Sequence, residues 1–571
     1  MNGDNTMNRA DRRRQEKMQG RPHAPGTASP LHVLLERGKK AHQAGQLHEA
    51  EQAYRDALSR APDHPEALHY MGLLLYRLGR LDEAVELLSR ACTHESGHAL
   101  YWFNFGVVAQ RAGRLEEAIR AYRQAVSLNP RYADAYTNLG HAYKDLGSLE
   151  QAEEAYRKVL QIHPDHADTY NHLGVVLKER SLLEQASDSY RQAIRLKPDH
   201  AEAHNNLGLL LMEQGELDAA IVSYERALQV SPAYSTAIYN LGMASIWKGD
   251  VDRAVTCFNR TASIKHDHGR MPVERFVYRS RVKHDAEQVQ YLLAEGRIGE
   301  EYRPYFAALT RLQSTLGQND HCSNRVPVTP ADLEGIAPSF NKLVHVAPCE
   351  VKPEGALNSD LDVEAIEARY RATKPEVTHL DDLLKPAALD SLRRFCWEST
   401  VWKKDYENGY IGAFLGDGFA SPLLLQIADE LRRRFRGIFG THLLTQAWAF
   451  KYDSSRRGLN IHADAAAVNV NFWITADDAN LNAASGGLVV WNKEAPRDWN
   501  FKDYNSDKKR RAIYEWLKQS GAEEIKIPYR ANRAVIFNSD LFHETDEITF
   551  KEGYRHRRIN ITLLYGYRHR A

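Results

Sequence analysis

The chain has 571 residues, 43% of them hydrophobic, which is more than one core can organise and implies two or more domains. Lys+Arg and Asp+Glu balance at 75 each, so the global charge points to neither nucleic acid nor a membrane surface as a partner. The five cysteines (Cys92, Cys257, Cys322, Cys349 and Cys396) are scattered and form no CxxC pair, which argues against a disulfide framework or a zinc–thiolate site and fits a reducing cytoplasm.

Residues 1–30 are polar and basic with no apolar stretch of the secretory kind, and are expected to form a disordered tail. No segment is apolar enough to predict a membrane span.

From residue 31 a glycine recurs every 34 residues: Gly38, Gly72, Gly106, Gly140, Gly174, Gly208 and Gly242. An alanine follows each by 12 residues, from Ala50 to Ala254, and a large residue by 16: Tyr54, Leu88, Tyr122, Tyr156, Tyr190, Tyr224 and Phe258. Pro62, Pro130, Pro164, Pro198 and Pro232 close most units. Small residues let two antiparallel helices approach, the large residue fills the gap, and proline stops the second helix. The pattern resembles the tetratricopeptide (TPR) consensus over 31–268, which implies seven repeats stacked into an all-α superhelix.

Two residues before each glycine the series reads Glu36, Tyr70, Asn104, Asn138, His172, Asn206 and Asn240. In a TPR this position lies on the first helix, which faces the concave groove. An asparagine amide both donates and accepts, so Asn104, Asn138, Asn206 and Asn240, with His172 between them, can hold an extended peptide by its backbone. In this respect the region is similar to the TPR region of O-linked GlcNAc transferase, although nothing in the remaining chain resembles a glycosyltransferase. The competing reading is that each amide bonds a neighbouring helix.

Residues 269–316 keep a helical pattern and are expected to cap the last repeat. Residues 317–374 read as a connector. From 375 to 571 short β-type runs alternate with helices. In LNIHADAAAVNVNFWIT, His462 and Asp464 are two apart, so on a strand they share a face. A second strand-like run ends at His543. Two histidines and one carboxylate can hold a metal on one side and leave its other positions open.

The flanking residues extend the pattern. Tyr452 stands ten residues before His462, a glycine turn opens SGGLVVWN, and RRINITLLYG puts Arg558, Asn560 and Thr562 on one face of a strand and Ile559, Ile561 and Leu563 on the other. This order resembles prolyl-hydroxylase-like Fe(II)/2-oxoglutarate-dependent dioxygenases over roughly 375–568. The resemblance implies a double-stranded β-helix of jelly-roll, cupin-like type with flanking helices. It also implies iron held by His462, Asp464 and His543, with Tyr452, Arg558, Asn560 and Thr562 around 2-oxoglutarate and dioxygen as co-substrate. Arg555 and Arg557 compete with Arg558 for the anchoring role, and the gap from His543 to Arg558 is longer than in many relatives. Segment 493–524 is an insertion beside the expected site mouth.

A peptide-type groove joined to an oxygenase implies hydroxylation of a protein or peptide. Aspartyl/asparaginyl hydroxylases make a similar pairing but lack the carboxylate that Asp464 provides. The alternatives are a small-molecule oxygenase and a TPR adaptor with an inactive oxygenase fold.

Overall fold

The spacing of small and large residues builds helix pairs. In the computed structural model, which describes residues 30–266, 276–317, 323–453, 459–496, 499 and 509–567, each glycine of the repeat faces the ring or branched side chain 16 residues later. A Cβ at Gly140 would meet Tyr156 Cε1 at 2.6 Å, so this contact tolerates only hydrogen. The expected tail lies outside the described residues up to position 29.

The chain divides into two compact units, 1–198 and 199–571. In the first, five antiparallel pairs follow one another: α1 (Pro30–Gln43) with α2 (Leu47–Arg60), α3 (Pro65–Arg77) with α4 (Leu81–His94), α5 (Ala99–Arg111) with α6 (Leu115–Leu128), α7 (Ala133–Asp145) with α8 (Leu149–Ile162), and α9 (Ala167–Glu179) with α10 (Leu183–Leu196). The Asp-His that follows a repeat's closing proline has a local purpose. His64 and His166 are N-caps whose side chains accept from the backbone N–H of Ala67 and Thr169, both at 3.3 Å. The buried interior includes Tyr54, Leu88 and Tyr122, each at 0% exposure, and one apolar cluster runs through the first four pairs.

The second unit opens with two further pairs, α11 (Ala201–Glu213) with α12 (Leu217–Val230) and α13 (Ser235–Lys248) with α14 (Val251–His266). A strand β1 (Phe276–Tyr278), helices α15 (Arg279–Ala294) and α16 (Arg303–Leu316), and a strand β2 (Arg325–Pro327) paired to β1 come next. The segment expected to cap the last repeat turns instead to the region that follows it. Gln288 Nε2 donates to Ser399 O at 2.9 Å, and Lys283 Nζ to Asp453 Oδ1 at 2.9 Å. The last repeat is covered by later parts of the chain: Trp247 Nε1 donates to Leu444 O at 2.7 Å, and Lys265 pairs with Asp417 at 3.3 Å. One continuous apolar cluster runs from Leu211, Tyr224 and Phe258 to Leu392, Leu424 and Ile561. The boundary expected at 268 therefore falls inside a shared core, because repeats six and seven bury their apolar faces there.

The connector is packed as well. It carries α17 (Val363–Ala372), and Glu430 accepts from the backbone N–H of Ala356 and Leu357, both at 2.9 Å. Beyond it come β3 (Val377–Leu380), α18 (Pro386–Glu398), β4 (Lys404–Asp405), β5 (Ile411–Phe414), α19 (Pro422–Arg434), β6 (Leu444–Lys451), β7 (Val468–Trp473), β8 (Leu488–Glu494), α20 (Arg510–Gln519), β9 (Glu524–Ile527), β10 (Ala534–Asn538), β11 (Leu541–Thr545) and β12 (Ile559–Tyr565). Two antiparallel sheets result, one in the order β3-β10-β7-β12-β6-β5-β4 and one in the order β11-β8-β9. Their facing sides share a core that includes Trp473, Phe537, Val490 and Ile527. The outer side of the larger sheet, with Ile559, Ile561 and Leu563, joins the cluster under α18 and α19. Alternation along β12 thus sends its even-numbered residues between the sheets.

Candidate metal centre

His543 lies on β11, whereas His462 and Asp464 precede β7 on irregular backbone rather than on the strand expected for them. One isolated bridge fixes the position: His462 N donates to His543 O at 3.0 Å and His543 N to His462 O at 2.8 Å. Asp464 N donates to Ser539 O at 3.1 Å, which turns the carboxylate back toward the two rings. His462 Nε2 lies 3.8 Å from one Asp464 oxygen and His543 Nε2 3.4 Å from the other. Among the described residues these three form the one cluster of such side chains close enough to hold a metal, with ligand atoms all within 4.8 Å of one another.

The outer nitrogens determine the tautomers. His462 Nδ1 meets Asn460 O at 2.7 Å and His543 Nδ1 meets Leu541 O at 3.0 Å. A carbonyl only accepts, so each Nδ1 carries the proton and each Nε2 offers a lone pair to the cluster. Burial, reinforced by His543, pushes His462 down to about 4. Burial opposes ionisation of Asp464, yet its carboxyl is held below the ordinary range, and Asn469 Nδ2 donates to it. Imidazoles that present Nε2 beside an ionised carboxylate form the donor set that a divalent cation takes.

The cluster opens on a pocket lined by Trp448, Phe450, Leu459 and Leu488 as apolar wall, and by Asn471, Thr545, Arg558, Asn560 and Thr562 as polar groups. Arg558 is 1% exposed. Its Nε donates to Gly486 O at 2.6 Å and its Nη2 to Gly487 O at 3.2 Å, while Nη1 has no protein partner. The glycine turn makes this cradle: Gly486 has φ +81°, and a Cβ on Gly487 would strike the carbonyl of Ile527. Tyr452 does not line the pocket. Its ring stacks on the Arg558 guanidinium at 4.8 Å, and its hydroxyl lies 3.5 Å from Thr545 Oγ1. Asn560 and Thr562 both donate to Asn471 Oδ1 at 2.8 Å.

The competing arginines are engaged elsewhere. Arg557 Nε pairs with Glu287 at 2.7 Å and Arg555 stacks over Trp397 at 4.6 Å. Asn469, Asn471 and Thr545 were not singled out in the sequence, although the alternation in VNVNFW puts both asparagines on one face of β7. Part of the insertion lies outside the described residues. Its helix α20 packs Ile513 and Leu517 against Ile461, Ala463 and Phe542, the chain neighbours of the clustered histidines. Tyr514 Oη also donates to Glu544 Oε2 at 2.6 Å.

The groove residues behave unevenly. In the first unit Asn104 Nδ2 meets His69 Nε2 of the preceding pair at 2.9 Å, Asn138 lies beside the Tyr122 hydroxyl, which donates to Gln110 Oε1 at 3.0 Å, and His172 stacks on Tyr156 at 5.8 Å. In the second, Asn240 Nδ2 donates to Asn205 Oδ1 at 3.0 Å, and Asn206 accepts from Asn205 at 3.3 Å. Asn104, Asn206 and Asn240 each spend a hydrogen bond within the repeats.

The family described as tetratricopeptide repeat matches residues 201–234, the sixth repeat, and the family described as cilia and flagella-associated protein 70 C-terminal domain matches residues 4–207. Solved structures similar to the chain include a MamA protein, at 26% identity over 30% of this chain and 94% of that one with a TM-score of 0.29. YrrB, titled a TPR protein with an unusual peptide-binding site, is 24% identical over 32% of this chain and 95% of that one with a TM-score of 0.27. A tetratricopeptide repeat protein from Parabacteroides merdae is 19% identical over 42% of this chain and 94% of that one with a TM-score of 0.36. No curated protein matches the chain. The helix pairs are TPR repeats, and a C-terminal antiparallel sheet region follows them. Among the described residues no helix is long and apolar enough to cross a membrane.

Proposed function

We propose that the chain is an iron(II)- and 2-oxoglutarate-dependent dioxygenase that hydroxylates a side chain of a protein or peptide. The observation that carries this reading is the convergence of His462, Asp464 and His543 in the lining of a pocket that also holds a buried guanidinium with an unpartnered N–H. Two neutral imidazoles and one carboxylate suit a facial iron site. A guanidinium donor without a protein partner suits the distal carboxylate of 2-oxoglutarate. Two antiparallel sheets around a shared core are consistent with a jelly roll. Iron(II) with 2-oxoglutarate and dioxygen would supply oxidation of a C–H bond to an alcohol, with release of succinate and carbon dioxide.

The chain's own residues do the rest. His462, Asp464 and His543 hold the ion, and the carboxylate offsets part of its charge. Arg558 orients the co-substrate, Tyr452 stacks behind it, Asn560 and Thr562 form the polar wall, and Trp448 and Phe450 exclude water. TPR repeats bind protein partners, and a partner tethered to the chain that carries the pocket gains effective concentration as a substrate. A second reading, a small-molecule oxygenase whose repeats dock a partner enzyme, gains support from the amides of Asn104 and Asn240, each already bonded to a neighbouring helix.

The anchoring role is tested by the KM for 2-oxoglutarate in turnover to succinate. Removing one partner of a buried charge pair costs about 2 kcal/mol or more, so Arg558→Met should raise KM by roughly 30-fold or more. Arg557→Met should leave KM within about threefold. Equal effects of the two would remove Arg558 from the site.

A further inference from the structure

Asp464 is the start of a chain of side chains that runs along the pocket wall. Asn469 Nδ2 donates to Asp464 Oδ2. Asn471 Nδ2 donates to Asn469 Oδ1 at 2.7 Å. Asn560 Nδ2 and Thr562 Oγ1 then donate to Asn471 Oδ1, both at 2.8 Å. Asn469 and Asn471 are 0% and 4% exposed, so water does not compete for these bonds.

The direction of the chain follows from one group. An ionised carboxylate only accepts, so Asn469 must turn its NH2 to Asp464 and its oxygen away. Asn471 must then present its NH2 to that oxygen, which leaves its own oxygen for the donors of Asn560 and Thr562. Each amide has a single orientation that satisfies its neighbours, and the carboxylate is pulled toward the sheet by a donor that cannot rotate.

We infer that Asn469 and Asn471 are positioning residues: in series they fix the orientation of the Asp464 carboxylate for the metal and link it to the Asn560–Thr562 wall of the pocket. This rests on the metal reading above. A network that only satisfies buried polar groups would contribute to stability alone, whereas the relay contributes to metal affinity.

The test is Mn(II) binding to the full-length protein without co-substrate, followed by the loss of the free-ion EPR signal, with the unfolding midpoint measured beside it. Groups that orient a metal ligand typically change affinity by 10–100-fold. Asn469→Ala should weaken Mn(II) binding about tenfold or more, and Asn471→Ala less. The double variant should be no weaker than Asn469→Ala alone, because residues in series do not add. Asn469→Ser restores a small donor and should fall between wild type and Asn469→Ala; it also serves if the alanine variant does not fold. The inference is overturned if both Asn469 variants bind within twofold of wild type, or if the two alanine effects multiply. Wild-type binding lost in His543→Ala but retained in Asn469→Ala overturns the relay alone. Equal absence of binding in wild type and His543→Ala overturns the metal reading and the relay with it.

Discussion

His69 shows how one buried side chain turns the TPR stack into a pH-sensitive element. It is 3% exposed, lies between Tyr70 and Tyr101, and accepts from Asn104 through Nε2. Burial, with a smaller push from His98, lowers it to about 3. Its folded value is below its unfolded value near 6.5, so the unfolded chain binds the proton first. The stability is present above about pH 6.5 and is lost as pH falls toward the folded value. Between pH 7 and pH 5 that loss is about 2 kcal/mol, and His69→Gln, which keeps an acceptor for Asn104, should remove it. Denaturant unfolding of both proteins at the two pH values gives the difference; parallel curves would contradict the assignment. At this scale the sequence was half informative. Its HxD spacing marked His462 and Asp464, and the alternation of β12 marked Arg558. It left Arg555, Arg557 and Arg558 open, because only the packing of α15 shows that Arg557 faces Glu287. It missed Asn469 and Asn471, which look like any polar pair until Asp464 folds back on them.

At the scale of elements the 34-residue pattern was legible because each glycine meets its large partner through backbone geometry alone. One turn departs from the pattern. The turn residues Gly45, Gly79, Gly113, Gly147, Gly215 and Gly249 adopt positive φ, and the fifth repeat places Ser181 there at φ 62°. A non-glycine residue in this region costs roughly 1–2 kcal/mol. Ser181→Gly should therefore stabilise the protein by about 1 kcal/mol, read as a higher denaturant midpoint at unchanged slope. A lower midpoint would mean that the serine side chain contributes more than its backbone costs. The strand reading was less complete. The spacing of His462 and Asp464 predicts a strand, but they occupy irregular backbone because His462 pairs across to His543 and Asp464 turns toward Ser539. Local periodicity carries no information about such a cross-chain bridge.

For the whole molecule, the apolar cluster joining repeats six and seven to the sheet region changes how it should be cut. Removal of residues 31–268 would expose that core, whereas removal of residues 1–198 follows the division between the compact units. The shorter protein should fold and keep uncoupled turnover of 2-oxoglutarate within about threefold, since the His462–Asp464–His543 cluster and the pocket lie wholly in the second unit. A protein hydroxylase so cut should lose most of its kcat/KM on its macromolecular substrate, and a small-molecule enzyme should keep it. The boundary was not legible in the sequence because the repeat pattern runs unchanged through it, and burial rather than periodicity decides which repeats belong to which core. The central claim is tested most directly by anaerobic visible absorption of the full-length protein with Fe(II) and 2-oxoglutarate, beside His543→Ala. A metal-to-ligand charge-transfer band in the wild type that is absent from the variant is the predicted result. A folded, iron-supplied wild type without the band would contradict the oxygenase reading and leave a TPR protein whose sheet region binds no such pair.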